Sequence, residues 1–445
     1  MSTESGRPDT GPAAEAARPR AAADADEVRA EVRDWLAAHW DPGLSLREWR
    51  ERLADSGWAC PSWPREWCGR DLPGGLAAVV ADEISRAGAV STPDGVGMQM
   101  AAPTILEHGS PELKRKFIRP TVTGEITWCQ LFSEPGAGSD LAGLTTRATR
   151  DSDGAGGGGA DGGWVVSGQK VWNTSAHHAD YGLLLARTDF GAPKHRGITY
   201  FVLPMHQPGV EVRPLRQMNG YASFNEVFME EARIPAGHVI GEVGGGWKAG
   251  LTTLAHERRL ATRRPPAVAR PTDGLALREA AAEAAEAYAP YVWYPQRAGR
   301  PDLVAERAVE AGAAADPLIR QEVVKVISLA WAARWTAQRA AVARAAGRPP
   351  GPEGSLGKLA SSNIARAAAR VHALITGPAG LLAGPDSPHH GIISEIMLSV
   401  PAVSIAGGTD QIQRTIIGER ILGFPRDPGP DRDTPFRDIP RATER

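Results

Sequence analysis

The chain has 445 residues, enough for two or three domains and for a core that needs no disulfide or metal staple. Lys and Arg number 50 against 52 Asp and Glu, a formal net charge of −2, which leaves no basic footprint for nucleic acid or an anionic membrane. Glycine (50) and proline (36) exceed ordinary usage, so their positions must separate tight turns from unstructured tails.

Residues 1–26 are rich in Ala, Arg, Asp and Pro and lack the apolar stretch of a signal peptide, so they read as a disordered tail. From Glu27 the period is helical: Val28, Val32, Trp35, Leu36 and Trp40 share a face. Leu76–Ile84, Ala102–His108 and Pro111–Phe117 continue it, giving an expected all-α domain over 27–125. The texture then changes. Trp164–Val166, Gly182–Ala186, Ile198–Leu203, Val210–Val212 and Glu226–Met229 are short, β-rich and separated by turn clusters, as in a small antiparallel barrel or sandwich over 126–240. Gly154–Gly163 reads as a mobile hairpin loop. Helical period returns in Trp247–Arg264, Glu279–Tyr288, Arg320–Arg339, Ser355–Ile375, Gly391–Leu398 and Asp410–Leu422, an expected helical domain over 241–424. Residues 425–445 read as a loose tail. The class is α+β. Cys60, Cys68 and Cys129 form no CxxC and suit reduced thiols in a cytoplasmic protein. No apolar run approaches the ~18 residues of a membrane span.

Three glycine-rich segments could carry chemistry. Gly136-Ala137-Gly138-Ser139-Asp140 lets backbone pass close to a ligand and offers a hydroxyl, but no Gly-Lys-Ser/Thr follows, so it is not a nucleotide P-loop. Gly244 to Ala249 matches G-x-G-x-x-A, yet the acidic partner about twenty residues on is missing; it reads as a turn into a helix. Gly407-Gly408-Thr409-Asp410-Gln411 precedes an amphipathic helix, where free N–H groups can face a carbonyl or phosphate oxygen, or where Thr409 or Asp410 simply caps. The pairs His177-His178 and His389-His390 have no ligand spacing around them, and no G-x-S-x-G elbow exists, so neither a metal site nor serine hydrolysis is expected.

Six segments in order resemble the acyl-CoA dehydrogenase family: Trp128–Gly143 (WCQLFSEPGAGSDLAG), Trp164–Asn173, Arg196–Leu203, Asn225–Pro235, Gly244–Arg258 and Ile405–Gly423. The branch looks like the actinobacterial dehydrogenases of lipid, sterol and specialised metabolism. The resemblance implies an N-terminal helical domain, a middle antiparallel β-barrel domain and a C-terminal four-helix bundle. It implies FAD between the last two, and a homo-oligomer, usually a dimer of dimers. The implied reaction takes a hydride from the acyl β-carbon to flavin and the α-proton to a Glu, leaving a trans-2-enoyl thioester. Electron-transfer flavoprotein is the family's usual acceptor. By resemblance Gln130, Phe132 and Ser133 line the flavin, Gly138 and Ser139 lie beside it, Trp172 and Thr174 pack on its ring, and Thr409 and Gln411 touch it. Ser139 also lies near the acyl-CoA.

The sequence departs from the family at the base. Many members carry Glu where Gly407 stands, and glycine cannot take a proton. A second group places Glu on the first long helix of the C-terminal domain, and Leu254-Ala255-His256-Glu257-Arg258 matches it. Glu257 is therefore the expected base, with Arg258 on the substrate side and backbone N–H groups around Gly407 and Gly408 as enolate donors. Burial against flavin and substrate is expected to raise such a Glu from about 4.3 towards about 6–7. The family's Arg-x-x-Phe-Gly inter-subunit flavin contact has no match between Pro265 and Ala315. Two other readings share the fold: an oxygen-using oxidase or monooxygenase, and a base-less partner subunit of a heteromer.

Overall fold

The computed structural model describes residues 13–151, 162–260, 273–345, 351, 353–426, 431 and 433–440. Its helices are α1 (Ala13–His39), α2 (Leu46–Asp55), α3 (Ala77–Arg86), α4 (Ala102–His108), α5 (Pro111–Thr123), α6 (Gly246–Leu260) and α7 (Leu275–Tyr288). Then follow α8 (Tyr294–Arg297), α9 (Val304–Glu310), α10 (Pro317–Ala345), α11 (Glu353–Thr376), α12 (Ile392–Ser399) and α13 (Asp410–Arg420). The strands are β1 (Trp128–Leu131), β2 (Arg147–Arg150), β3 (Trp164–Thr174), β4 (Tyr181–Arg187), β5 (Ile198–Pro204), β6 (Val210–Leu215) and β7 (Phe224–Ile234). The chain divides into two compact units.

The first unit comprises 1–94, 114–126 and 266–284. Its core gathers Val28, Val32, Leu36, Trp49, Leu53, Val80 and Ile84 from α1, α2 and α3, with Trp58 from the turn after α2. A capping box starts α2: Ser45 Oγ accepts from Glu48 N–H, and Glu48 reaches back to Ser45 N–H. The start of α7 belongs to this unit, not to the C-terminal helices as its place in the chain suggested. Glu279 accepts from Leu46 N–H at 2.7 Å, and Glu283 forms a two-pronged pair with Arg50 at 2.6 and 2.8 Å. Helix α1 starts at Ala13, so part of the expected disordered tail is helical; its alanines are the strongest helix formers.

The second unit comprises 95–113, 127–265 and 285–445. Its sheet runs β1-β4-β2-β3-β7-β6, with β5 on β4. Neighbours are antiparallel except that β1 and β2 both run parallel to β4, which the long β2–β3 excursion permits. The strands read as alternating or continuous apolar runs because Leu131, Val166, Leu184, Phe201, Val227 and Ala232 fill one core. In separate clusters, α9, α10 and α11 pack through Val304, Val326, Ala368 and Val371, while Ala365 joins Ile393 and Ile396 of α12. The end of the chain, expected as a loose tail, is anchored where it is described. Phe436 is buried with Arg187 stacked 3.4 Å from its ring centre, and its N–H bonds Ala192 O. Most of the Gly154–Gly163 loop lies outside the described residues.

Candidate active site

The site is built on the end of β1, where Gln130 and Phe132 alternate with buried Leu131. Three bonds fasten this segment to β3. Asn173 Nδ2 donates to Gln130 O (2.8 Å), Lys170 Nζ to Phe132 O (3.0 Å), and Val171 N–H to Ser133 O (2.9 Å). The Phe132 ring meets Tyr200 edge-on at 5.6 Å. Between Lys170 and Asn173 the β3–β7 register shifts, and Trp172 there has φ 62° with 56% of its surface exposed. Left-handed backbone costs an ordinary residue about 1–2 kcal/mol, so Trp172 is an exposed ring held in a strained conformation. Thr174 ends the same strand.

The Gly136–Asp140 loop follows. A Cβ built on Gly136 or Gly138 would meet nothing within 4 Å, so this backbone borders open space. Gly138 and Ser139 are exposed. The loop's flanks are held firmly: Glu134 and Ala137 exchange backbone bonds, Lys194 Nζ reaches Asp140 at 2.5 Å, and buried Arg187 donates to Ala142 O and Leu144 O. Burial lowers that guanidinium to about 10. Beneath the loop lies a buried ion pair, Lys170 Nζ to Glu134 Oε1 at 2.9 Å. Glu134 also accepts from Thr145 N–H, Thr145 Oγ1 and Thr146 N–H. Burial pushes its carboxyl up, but Lys170 and these donors win and hold it at about 2. Burial pulls the Lys170 ammonium below its usual value against the attraction of Glu134. The carboxylate is the better solvated partner, because it collects three further donors.

Glu257 lies on α6. Its Oε2 accepts from Gln130 Nε2 at 3.3 Å, and that nitrogen also lies 3.9 Å from Met100 Sδ in the π-helical turn Gly97–Ala101. One turn earlier, buried Thr253 Oγ1 donates to Ala249 O and lies 2.9 Å from Thr104 Oγ1 and 3.0 Å from Tyr200 Oη. This hydroxyl cluster ties α6 to α4 and β5 and fixes the rotation of the helix. Burial pushes the Tyr200 phenol up, and the Glu257 charge adds to the rise, so the phenol stays protonated. The Arg258 side chain lies outside the described residues.

The late turn forms a second cluster. Gly407 and Gly408 have φ 67° and 87°, and Gln413 Nε2 donates to both carbonyls at 3.3 Å. Thr409 caps α13, accepting from Ile412 N–H at 3.2 Å, so the capping alternative describes its side chain. Asp410 is buried against Ser362 (2.9 Å) and Arg366 (3.3 Å), and Gln411 is exposed. Thus Gln130, Phe132, Ser133, Trp172, Thr174, Gly138, Ser139 and Glu257 gather around β1 and β3. Gly407, Gly408, Thr409 and Gln411 gather on the α11–α13 side. Sequence reasoning missed Lys170, Tyr200, Thr253 and Thr104. None carried a sequence signal: even Lys170 sits among polar neighbours in β3, so its burial, which calls for a carboxylate, shows only in the structure.

Among the described residues no group of His, Cys, Asp and Glu could hold a metal, and no helix is long and apolar enough to cross a membrane. Family models for the acyl-CoA dehydrogenase N-terminal, middle and C-terminal domains match residues 16–125, 129–232 and 302–422. Acyl-CoA dehydrogenase FadE34 of Mycobacterium tuberculosis is 39% identical over 84% of this chain, which spans 46% of that longer protein. Acyl-CoA dehydrogenase IpdE1 of Mycolicibacterium smegmatis is 34% identical over 90% of this chain and 98% of its own. A solved structure named Tcur3481-Tcur3483 steroid ACAD superposes with a TM-score of 0.61 at 26% identity, covering 91% of this chain and 98% of that one.

Proposed function

This chain belongs to the acyl-CoA dehydrogenase family, oxidoreductases that dehydrogenate acyl-CoA with FAD, and we propose that it forms a trans-2-enoyl thioester with Glu257 as the base. The observation that supports this most is the Glu257 carboxylate, presented by α6 to the Gln130 edge of β1. The residues present fit the flavin: Gly136 and Gly138 border open space that a Cβ would enter, and Trp172 offers an exposed ring from a strained position. Gln130, Phe132, Ser133, Gly138, Ser139, Trp172, Thr174, Thr409 and Gln411 would hold it. When bound, FAD accepts the hydride that leaves the acyl β-carbon.

The remaining work falls to this chain. Glu257 takes the α-proton on a carboxylate oxygen. Ser139 and Arg258 hold the acyl-CoA, and the Gly407 and Gly408 amides receive charge developing on the thioester oxygen. Phe132 and Trp172 keep water from the reacting carbons. Electron-transfer flavoprotein is the proposed acceptor. A homo-oligomer is the proposed assembly, with light scattering and flavin stoichiometry of the chain expressed alone as its test. The steroid ACAD among the similar structures makes a steroid-derived acyl-CoA the first substrate to try.

Anaerobic bleaching of the flavin absorbance by a panel of acyl-CoA thioesters tests the reading. Glu257→Gln keeps bound flavin and slows bleaching by about 10²–10⁴-fold. Undiminished bleaching in that variant sinks the assignment.

A further inference from the structure

Besides its proposed place at the flavin, Gln130 carries a side-chain amide that meets Glu257. Its amide nitrogen points at the Glu257 carboxylate, 3.3 Å from Oε2, while its backbone carbonyl is held by Asn173. The donor is thus anchored on a strand and the acceptor on a helix whose rotation Thr253, Thr104 and Tyr200 set. Both ends are placed independently, so the bond is not an accident of two free side chains. Met100 Sδ, buried beside the same nitrogen, limits where the amide can swing.

We propose that Gln130 is the positioning residue of the base: its amide, anchored on β1, holds Glu257 Oε2 and so fixes the carboxylate's orientation and stabilises its charged form. This rests on Glu257 being the base. A hydrogen bond to the charged form lowers a carboxyl pKa, so Gln130 keeps Glu257 ionised at lower pH than it otherwise would be. The other ionisable groups on the surrounding elements are Cys129 on β1, Tyr200 on β5, Glu107 and His108 on α4, and Lys248, His256, Arg258 and Arg259 on α6 itself. None of them is changed by substitution at Gln130.

The experiment is the pH profile of anaerobic flavin bleaching by an acyl-CoA, in flavin-loaded protein, for Gln130→Met, Gln130→Glu and Glu257→Gln. Gln130→Met matches the length of the side chain but donates nothing. Its acid limb, read per bound flavin, moves up by about one pH unit, so bleaching below that limb slows by up to ~10-fold. Gln130→Glu puts a like charge beside the base and moves the limb further in the same direction. Unmoved acid limbs in both variants, with flavin retained, overturn the proposal. A slow Glu257→Gln beside those unmoved limbs leaves the base assigned and removes only Gln130. A fast Glu257→Gln removes the base itself.

Discussion

Lys170→Met tests the buried pair beneath the Gly136–Asp140 loop. Lys170 is fully buried and Glu134 is 6% exposed, so water cannot replace the lost ammonium. Two routes give its size. The fall of the Glu134 carboxyl from 4.5 to about 2 corresponds to about 3 kcal/mol favouring the ionised form in the folded protein. Removing one partner of a buried pair costs about 3–5 kcal/mol in general. The Thr145 and Thr146 donors survive the substitution, which places the loss near the lower figure. Phe132 O also loses its donor, so the β1 edge loosens and flavin is retained less well. Urea unfolding at pH 7 should show a loss of about 3 kcal/mol for Lys170→Met, and Lys170→Met with Glu134→Gln should recover at least half of it, because no charge is then left buried. A loss below about 1 kcal/mol, or a double variant no better than the single, refutes the reasoning. The pH dependence has a fixed sign. Glu134 is depressed in the folded state, so its contribution is complete above about 4.5 and disappears as pH falls towards 2. Glu134→Gln flattens that window.

Gly408→Ala should lower the melting temperature more than Gly407→Ala. Both meet left-handed strain of about 1–2 kcal/mol, but a Cβ at 408 also lies 2.5 Å from Gln413 Nε2, whereas at 407 the nearest atom is Lys358 Cε at 3.7 Å. Thr253→Val removes a buried hydroxyl shared by Tyr200 and Thr104, and should cost about 1–3 kcal/mol in urea unfolding and slow bleaching by shifting α6. His372 is buried, its Nδ1 2.6 Å from an Arg307 nitrogen and its Nε2 3.0 Å from Arg300 O. Burial and then the Arg307 charge hold its pKa below 6.5 against the Arg300 bond, so stability should decline as pH drops from 6.5, and His372→Gln should remove that decline.

Much of the fold was legible locally. Alternation and apolar runs marked β3 to β7, and the 3.6 period marked α3 to α6 and α10 to α13, because burying one face imposes that spacing. Strands β1 and β2 escaped notice: four residues each are too short for a period to show. Phe436 escaped too, because a lone aromatic in a proline-rich stretch looks exposed until Arg187 is found beneath it.

The sequence determined the order of domains and the Gly136–Ser139 loop, and its resemblance to the family set a glycine at 407 where many members carry Glu, which points to Glu257. Those are facts of residue identity at a position, readable without any distance. Tertiary structure alone decided which groups meet. It joined Gln130 to Glu257 across 127 positions, Lys170 to Glu134 across 36, and Thr253 to Thr104 across 149. It also placed Trp172 in a left-handed conformation at a register shift, and drew the start of α7 to α2 through Glu279 and Glu283. Such pairings leave no periodic trace, because a hydrogen bond or ion pair depends on separation in space and not along the chain.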